Sequence, residues 1–163
     1  MSVEVFRIDD RLIHGQVVVG WGQPLDIRFV VLVDDTVAAS EWEQDLYRMG
    51  VPPGMEVAFV DVETAIASVG AWQADPRRGL VLTGDIDTMR RFTRGSPDVR
   101  AVNLGGIHHA AGRTQRLRYL FLSAAEESQL REMAASGVVI TAQDVPGARP
   151  LPLEQVLGGT DLS

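Results

Sequence analysis

His14 is the imidazole around which a reaction could be built. It follows Asp9-Asp10-Arg11-Leu12-Ile13 and precedes Gly15-Gln16, which sets a histidine, an arginine and two carboxylates close together. The segment Val3–Ile8 before this group reads as extended, and Val17-Val18-Val19-Gly20-Trp21 after it reads as a helix. A reactive side chain at a strand-to-helix crest sits where α/β proteins concentrate their chemistry. With a helix starting near Ile13, His14 lies in the first turn, where unpaired N–H groups and the positive dipole end favour an anion. Arg11 can add a charge-assisted fork to the same anion. A hydrogen bond to a charged group contributes about 1.5–3 kcal/mol and a surface helix end about 0.3–1, so Arg11 is the stronger holder. An imidazole is largely unprotonated near neutral pH, and from that position it can attack phosphorus and carry a phosphoryl group. Spacing alone is met equally well by a core histidine bonded to a carbonyl, because His14, Val17, Val18 and Trp21 share one helical face. Asp9 and Asp10 have open roles: fixing the imidazole tautomer, pairing with Arg11 or Arg7, or capping the helix.

The elements that must hold this group alternate between strand and helix. Phe29–Val33 is a continuous β-branched and aromatic run suited to a strand buried on both faces. Ala38, Trp42, Leu46 and Met49 follow at helical spacing among acidic residues, which predicts an amphipathic helix with that stripe in the core. Gly50 and Pro52-Pro53-Gly54 end it. Further strands are expected at Val57–Val60, Leu80–Leu82, Val99–Leu104, Tyr119–Leu122 and Val138–Ala142. Helices are expected after Asp61, from Ile86, after a Ser123–Glu126 capping box, and as a turn at Leu153–Leu157. This alternation predicts a three-layer α/β/α fold with a central, mainly parallel sheet of six to seven strands, in one domain over residues 1–163.

Composition narrows the function. Of 163 residues, 45% are hydrophobic and 23% charged, ordinary for a folded globular chain. The net charge of −7 gives a nucleic-acid partner no electrostatic support. There is no cysteine, so disulfides, thiol catalysis and thiolate metal sites are excluded. Charges at Arg7, Asp9, Asp10 and Arg11 interrupt any signal-peptide core, and no apolar run approaches the roughly 18–20 residues of a membrane span. A cytoplasmic location is expected, with any membrane process served as a peripheral partner.

At Arg7-Ile8-Asp9-Asp10-Arg11-Leu12-Ile13-His14-Gly15-Gln16-Val17 the chain resembles the phosphorylation-site signature of enzyme IIB of the mannose/sorbose class of the sugar phosphotransferase system (PTS). Val33–Ala39, the turn Pro52-Pro53-Gly54, the loop Asn103-Leu104-Gly105-Gly106-Ile107 and Gly112-Arg113-Thr114-Gln115 resemble further landmarks of that family. The resemblance implies a first strand at the topological switch point of the sheet. It implies that His14 takes phosphate on Nδ1 from the phosphohistidine of a IIA domain and delivers it to a sugar bound in a IIC/IID permease. By position Arg11 matches the arginine expected to hold the phosphate, with Asp10 beside it. The backbone N–H groups of Ile13 and Gly15 and the loop at Asn103, Gly105 and Gly106 complete the expected phosphate site. No cofactor, nucleotide or metal is needed, because the donor phosphohistidine already carries an activated group.

Thr83-Gly84-Asp85 departs from the family's usual residues after the fourth strand. It motivates a different reading, a regulatory phosphorelay module with a phosphorylatable His14 and no cognate permease. A non-catalytic anion-binding domain is a further alternative. The adjacent pair His108-His109 has no cysteine or nearby acidic ligand to support a metal site, and reads as a polar loop from which His109 could reach the phosphate. Arg90, Arg91 and Arg94 read as a solvated helix face. A homo-oligomer is compatible with the sequence.

Overall fold

The computed structural model describes residues 2–158. Strands β1 (Val3–Ile8), β2 (Phe29–Val33), β3 (Glu56–Val60), β4 (Gly79–Thr83), β5 (Ala101–Leu104), β6 (Thr114–Leu117), β7 (Leu120–Leu122), β8 (Val139–Ala142) and β9 (Leu151–Pro152) alternate with helices. The helices are α1 (Gly15–Gly22), α2 (Asp35–Ala38), α3 (Glu41–Arg48), α4 (Val62–Ala74), α5 (Ile86–Arg94), α6 (Ala124–Ala135) and α7 (Leu153–Leu157). The main sheet has seven strands in the order β3-β2-β4-β1-β5-β8-β9. Its pairs are parallel except β8–β9, and β6–β7 form a separate antiparallel hairpin.

Two apolar layers sandwich this sheet. On one face Val17, Val18 and Trp21 of α1 meet Val30, Leu32, Leu80 and Leu82. On the other, Ala65, Met89, Phe92, Leu130 and Met133 of α4, α5 and α6 meet Phe29, Val31, Val81, Val102 and Ile140. All five residues of β2 and of β4 are buried, as continuous apolar runs with helices on both sides require. The chain leaves β1 toward β2 on one side of it and leaves β5 toward β8 on the other. That divergence opens a crevice at the carboxyl ends of β1 and β5, the usual ligand position in such sheets.

Apart from β6 and β9, which sequence patterning does not predict, the elements before β2 and after β3 stand close to where it puts them, and Asp61 and Ser123 cap α4 and α6 as expected, the latter in a complete capping box. The stretch from Ala38 to Met49 does not. It is two helices broken at Ala39-Ser40, and none of α3 is buried. Trp42 is 70% exposed, Leu46 54% and Met49 83%, so the expected core stripe faces water. Two causes combine. The sheet beneath is already covered by α1 and by Val37 of α2. The side of α3 that turns inward carries Gln44, which donates to the carbonyls of Val37 (3.0 Å) and Ala38 (3.2 Å), and Tyr47, whose ring lies 6.3 Å from that of Phe59.

Candidate active site

β1 does not stop cleanly at Ile8. Asp9 N–H donates to the Thr83 carbonyl at the end of β4 (2.9 Å), and Asp10 N–H donates to the Gly106 carbonyl beyond β5 (2.9 Å). The chain after β1 is thus fastened between the two neighbouring strand ends. It then turns: Leu12 N–H donates to the Asp9 carbonyl (3.1 Å), and Leu12 adopts φ +56°, a left-handed conformation unfavourable for a residue with a Cβ. Packing holds it there, because the Leu12 side chain occupies the space where a Cβ on Gly84 would be. Gly84 therefore has a steric reason in the loop that departs from the family pattern. Asp85 has one too: it is the N-cap of α5, accepting from Thr88 N–H (2.7 Å) and the Thr88 hydroxyl (2.9 Å).

The turn delivers His14 to the N-cap of α1 rather than into its first turn. Its face-mates Val17, Val18 and Trp21 are buried, but the His14 side chain is exposed, which removes the core-histidine alternative. Nδ1 of His14 accepts the backbone N–H of Gln16 at 3.2 Å. The imidazole thus does the work usually given to Ser or Asp at an N-cap, with the Nδ1 lone pair directed at the positive end of the helix. In the neutral ring this leaves the proton on Nε2.

The turn before His14 also holds a charged group that is almost wholly out of water. Asp9 and Arg7 are fully buried. Asp9 accepts from Arg7 Nη2 (3.0 Å) and, through both oxygens, from Arg11 Nε (2.8 Å), Arg11 Nη2 (2.7 Å) and Arg11 N–H (3.1 Å). Arg7 also donates to the Asn103 side chain, to the carbonyls of Gln143 (2.8 Å) and Asp144 (3.0 Å), and stacks its guanidinium 4.2 Å from the Trp21 ring centroid. Burial pushes the Asp9 carboxyl up, but the Arg11 hydrogen bond and the charges of Arg7 and Arg11 outweigh it and leave it below the usual carboxylate range. Burial depresses Arg7, while the bond to Asp9 raises Arg11. Asp9 takes the Nε edge of Arg11, so Nη1 is left for Gln16 Oε1 (3.3 Å) and for anything bound beside His14.

The other expected residues divide. Asp10 does not touch His14: its carboxylate takes the backbone N–H of His108 (2.8 Å) and the His108 Nδ1 (2.6 Å), tying the two loops together. Asn103 is committed to Arg7 and, through Nδ2, to Gln143 Oε1 (3.1 Å). Gly105 donates its N–H to the Ile8 carbonyl (2.7 Å), and a Cβ there would overlap the Arg7 guanidinium, so only glycine lets Arg7 through. Gly106 is the loop residue that faces Arg11, with space at its Cβ position 3.6 Å from Arg11 Nε. His109 stands edge-on to Phe121 at 5.5 Å. Ile13 is buried, and Gly15 opens the helix. Sequence reasoning left Arg7 as a minor option and overlooked Gln143 and Asp144. Strand alternation could have found Arg7, since positions 7 and 9 share one face of an extended chain.

A family model described as the PTS system sorbose subfamily IIB component matches residues 3–162. The chain belongs to that family. It is 33% identical over 150 residues, 90% of this chain and 92% of the relative, to the N-acetylgalactosamine-specific phosphotransferase enzyme IIB component 1 of Escherichia coli. It superposes with a TM-score of 0.87 on the IIB domain of the sorbose permease from Klebsiella pneumoniae, at 26% identity and full coverage of both chains. It also aligns with the mannose-specific EIIAB component of E. coli at 26% identity, spanning half of that longer protein. Phosphotransfer in sugar uptake is therefore the activity class of this IIB chain. Among the described residues no helix is long and apolar enough to cross a membrane.

Proposed function

We propose that His14 Nδ1 accepts the phosphoryl group of a phosphohistidine on a IIA domain and passes it to a sugar held by a IIC/IID permease. The observation that carries this reading is the exposed imidazole at the N-cap of α1, with its Nδ1 lone pair directed at the helix N-terminus and Arg11 beside it. In the first step the Nδ1 lone pair forms the N–P bond as the donor's N–P bond breaks, and the donor imidazole leaves with that electron pair. In the second, a sugar hydroxyl attacks phosphorus and gives its proton to water as the Nδ1–P bond breaks, and His14 leaves with that electron pair as a neutral imidazole. The Gln16 N–H, freed from Nδ1, turns to a phosphoryl oxygen, and Nη1 of Arg11 forks onto the same group. Ile13, Gly15 and Gly106 line the space around it.

Catalysis of this kind is alignment plus stabilisation of the phosphoryl oxygens. Asp9 is a positioning residue that holds Arg11 by its inner edge, and Asp10 positions the His108 loop. The chain would work at the inner membrane surface, between donor and permease. Asp85, whose departure from the family motivates the regulatory reading, has a local structural role as the N-cap of α5.

Incubation with phospho-IIA tests the reading directly. The wild type should acquire acid-labile phosphate on His14, and His14→Ala should acquire none. Label on the alanine variant would move the site elsewhere.

A further inference from the structure

Trp42, Leu46 and Met49 are the three most solvent-facing apolar side chains of any one segment among the described residues, and the proposed chemistry does not use them. Spaced by four and three residues, the three side chains line one edge of α3, 70%, 54% and 83% exposed. Large exposed apolar side chains grouped on one helix mark contact surfaces, and a tryptophan with long aliphatic neighbours is a common centre of binding energy. The helix is fixed to the His14 loop. Tyr47 and Val51 pack with Leu12 and Ile13 in one apolar cluster, and a Cβ on Gly50 would lie 3.1 Å from the Ile13 carbonyl oxygen. A protein that reaches His14 therefore meets α3 at the rim. A second edge, Glu41, Asp45 and Arg48, runs beside the apolar one. Arg48 is engaged by Asp45 at 3.2 Å, so this border is acidic on balance.

We infer that this face docks the basic cytoplasmic surface of the membrane permease, an inference that rests on the function proposed above. Cytoplasmic loops of membrane proteins carry an excess of Lys and Arg, which complements both the acidic border of α3 and the chain's net charge of −7. The same acidity disfavours insertion of the stripe into an anionic lipid surface. The apolar edge supplies buried contact area, and the acidic edge supplies orientation and salt sensitivity.

The test uses the full chain, phospho-IIA, and inside-out vesicles with or without the IIC/IID permease. Two variants are compared: Trp42→Ser/Leu46→Ser/Met49→Ser, and Glu41→Lys/Asp45→Lys, the second reversing charge at exposed positions and releasing Arg48 from Asp45. Both should take phosphate from phospho-IIA within twofold of wild type, which also reports intact folding. Transfer from the phosphorylated chain to sugar in permease vesicles, and co-sedimentation with them, should each fall at least ten-fold. Wild-type co-sedimentation should weaken with added salt. Unchanged transfer by both variants would overturn the inference. So would a parallel loss of phosphorylation by IIA, equal binding to vesicles lacking the permease, or a wild-type dimer that the triple variant dissociates, which assign the face to the donor, the bilayer or a second copy. Absence of label on wild-type His14 would instead sink the proposed function, and co-sedimentation of the unphosphorylated chain would still decide the docking question.

Discussion

Two clusters in this molecule set one carboxylate between two arginines, the second with Asp87 also on Arg90 (2.5 Å). Asp9 lies between Arg7 and Arg11, with no exposure at Asp9 or Arg7 and 22% at the Arg11 side chain. Glu132 lies between Arg90 (3.0 Å) and Arg94 (3.2 Å), with side-chain exposures of 54%, 20% and 63%. Geometry separates them in part, since Asp9 accepts through both oxygens and Glu132 through Oε2 alone, and surroundings do the rest. Water screens the second cluster and solvates its members when they part, so its pairs add little. The first is almost out of water, and its members rely on one another, on the Asn103 side chain, on the carbonyls of Gln143 and Asp144 and on the Trp21 ring, with Arg7 Nε left unpaired. Removing one partner there leaves an uncompensated buried charge. An ion cluster therefore says little about its role until its burial is known. The buried one lies at the turn before His14, and the exposed one fastens α5 to α6.

The largest effect expected from this contrast is on Asp9. Asp9→Ala should lower unfolding stability by about 3–5 kcal/mol in urea titrations, since it strands two arginines. A loss below 1 kcal/mol would erase the distinction between the clusters. Arg11→Lys keeps the charge but loses the fork that can hold Asp9 and a phosphoryl oxygen together. It should slow phosphoryl transfer roughly ten- to a hundred-fold, in line with about 1.5–3 kcal/mol for a charged hydrogen bond. Its urea midpoint should move far less than that of Asp9→Ala. Gly84→Ala tests the turn that aims the buried cluster: its Cβ displaces Leu12 from the pocket that holds φ at +56°. We expect a stability loss of about 1 kcal/mol, at the low end for overpacking because the Leu12 terminus can swing aside. A transfer rate reduced out of proportion to that loss would show that Leu12 sets the position of His14.

Acid should act on the buried cluster in a defined direction. A carboxyl held below its unfolded value of about 3.9 stabilises the fold fully above that value and loses the contribution as pH falls through the folded one. The stability difference between wild type and Asp9→Asn should thus be constant from pH 5 to 8 and shrink below about pH 4. A difference that changed near pH 6 would point to another group. The smallest effect belongs to the exposed cluster. Glu132→Gln should leave both the urea midpoint and the transfer rate unchanged within error.

Local patterns carried much of the architecture. The apolar run Phe29–Val33 suits a strand covered on both faces and the Ser123–Glu126 pair suits a helix start, and both are found. Both depend on interactions within a few residues. The hairpin strand Thr114–Leu117 and the two-residue β9 escaped notice because neither has an apolar period; partners elsewhere in the chain define them. The periodicity of Trp42, Leu46 and Met49 predicts a helix, which is present, and a core stripe, which is not. Amphipathicity tells which residues share a face, and only the layers already packed on the sheet tell whether that face is inside.

The site divides along the same line. Sequence alone placed His14 and Arg11 beside a helix start, because cap, turn and spacing are short-range properties of the chain. It could not separate Asp9 from Asp10, since adjacent residues of one extended chain point opposite ways and their surroundings come from distant segments. Tertiary structure alone decided that Asp9 goes down between Arg7 and Arg11, while Asp10 goes across to His108, nearly a hundred residues away. The reason is dielectric as much as geometric: strand order chooses which carboxylate is sealed from water, and burial decides which ion pair matters.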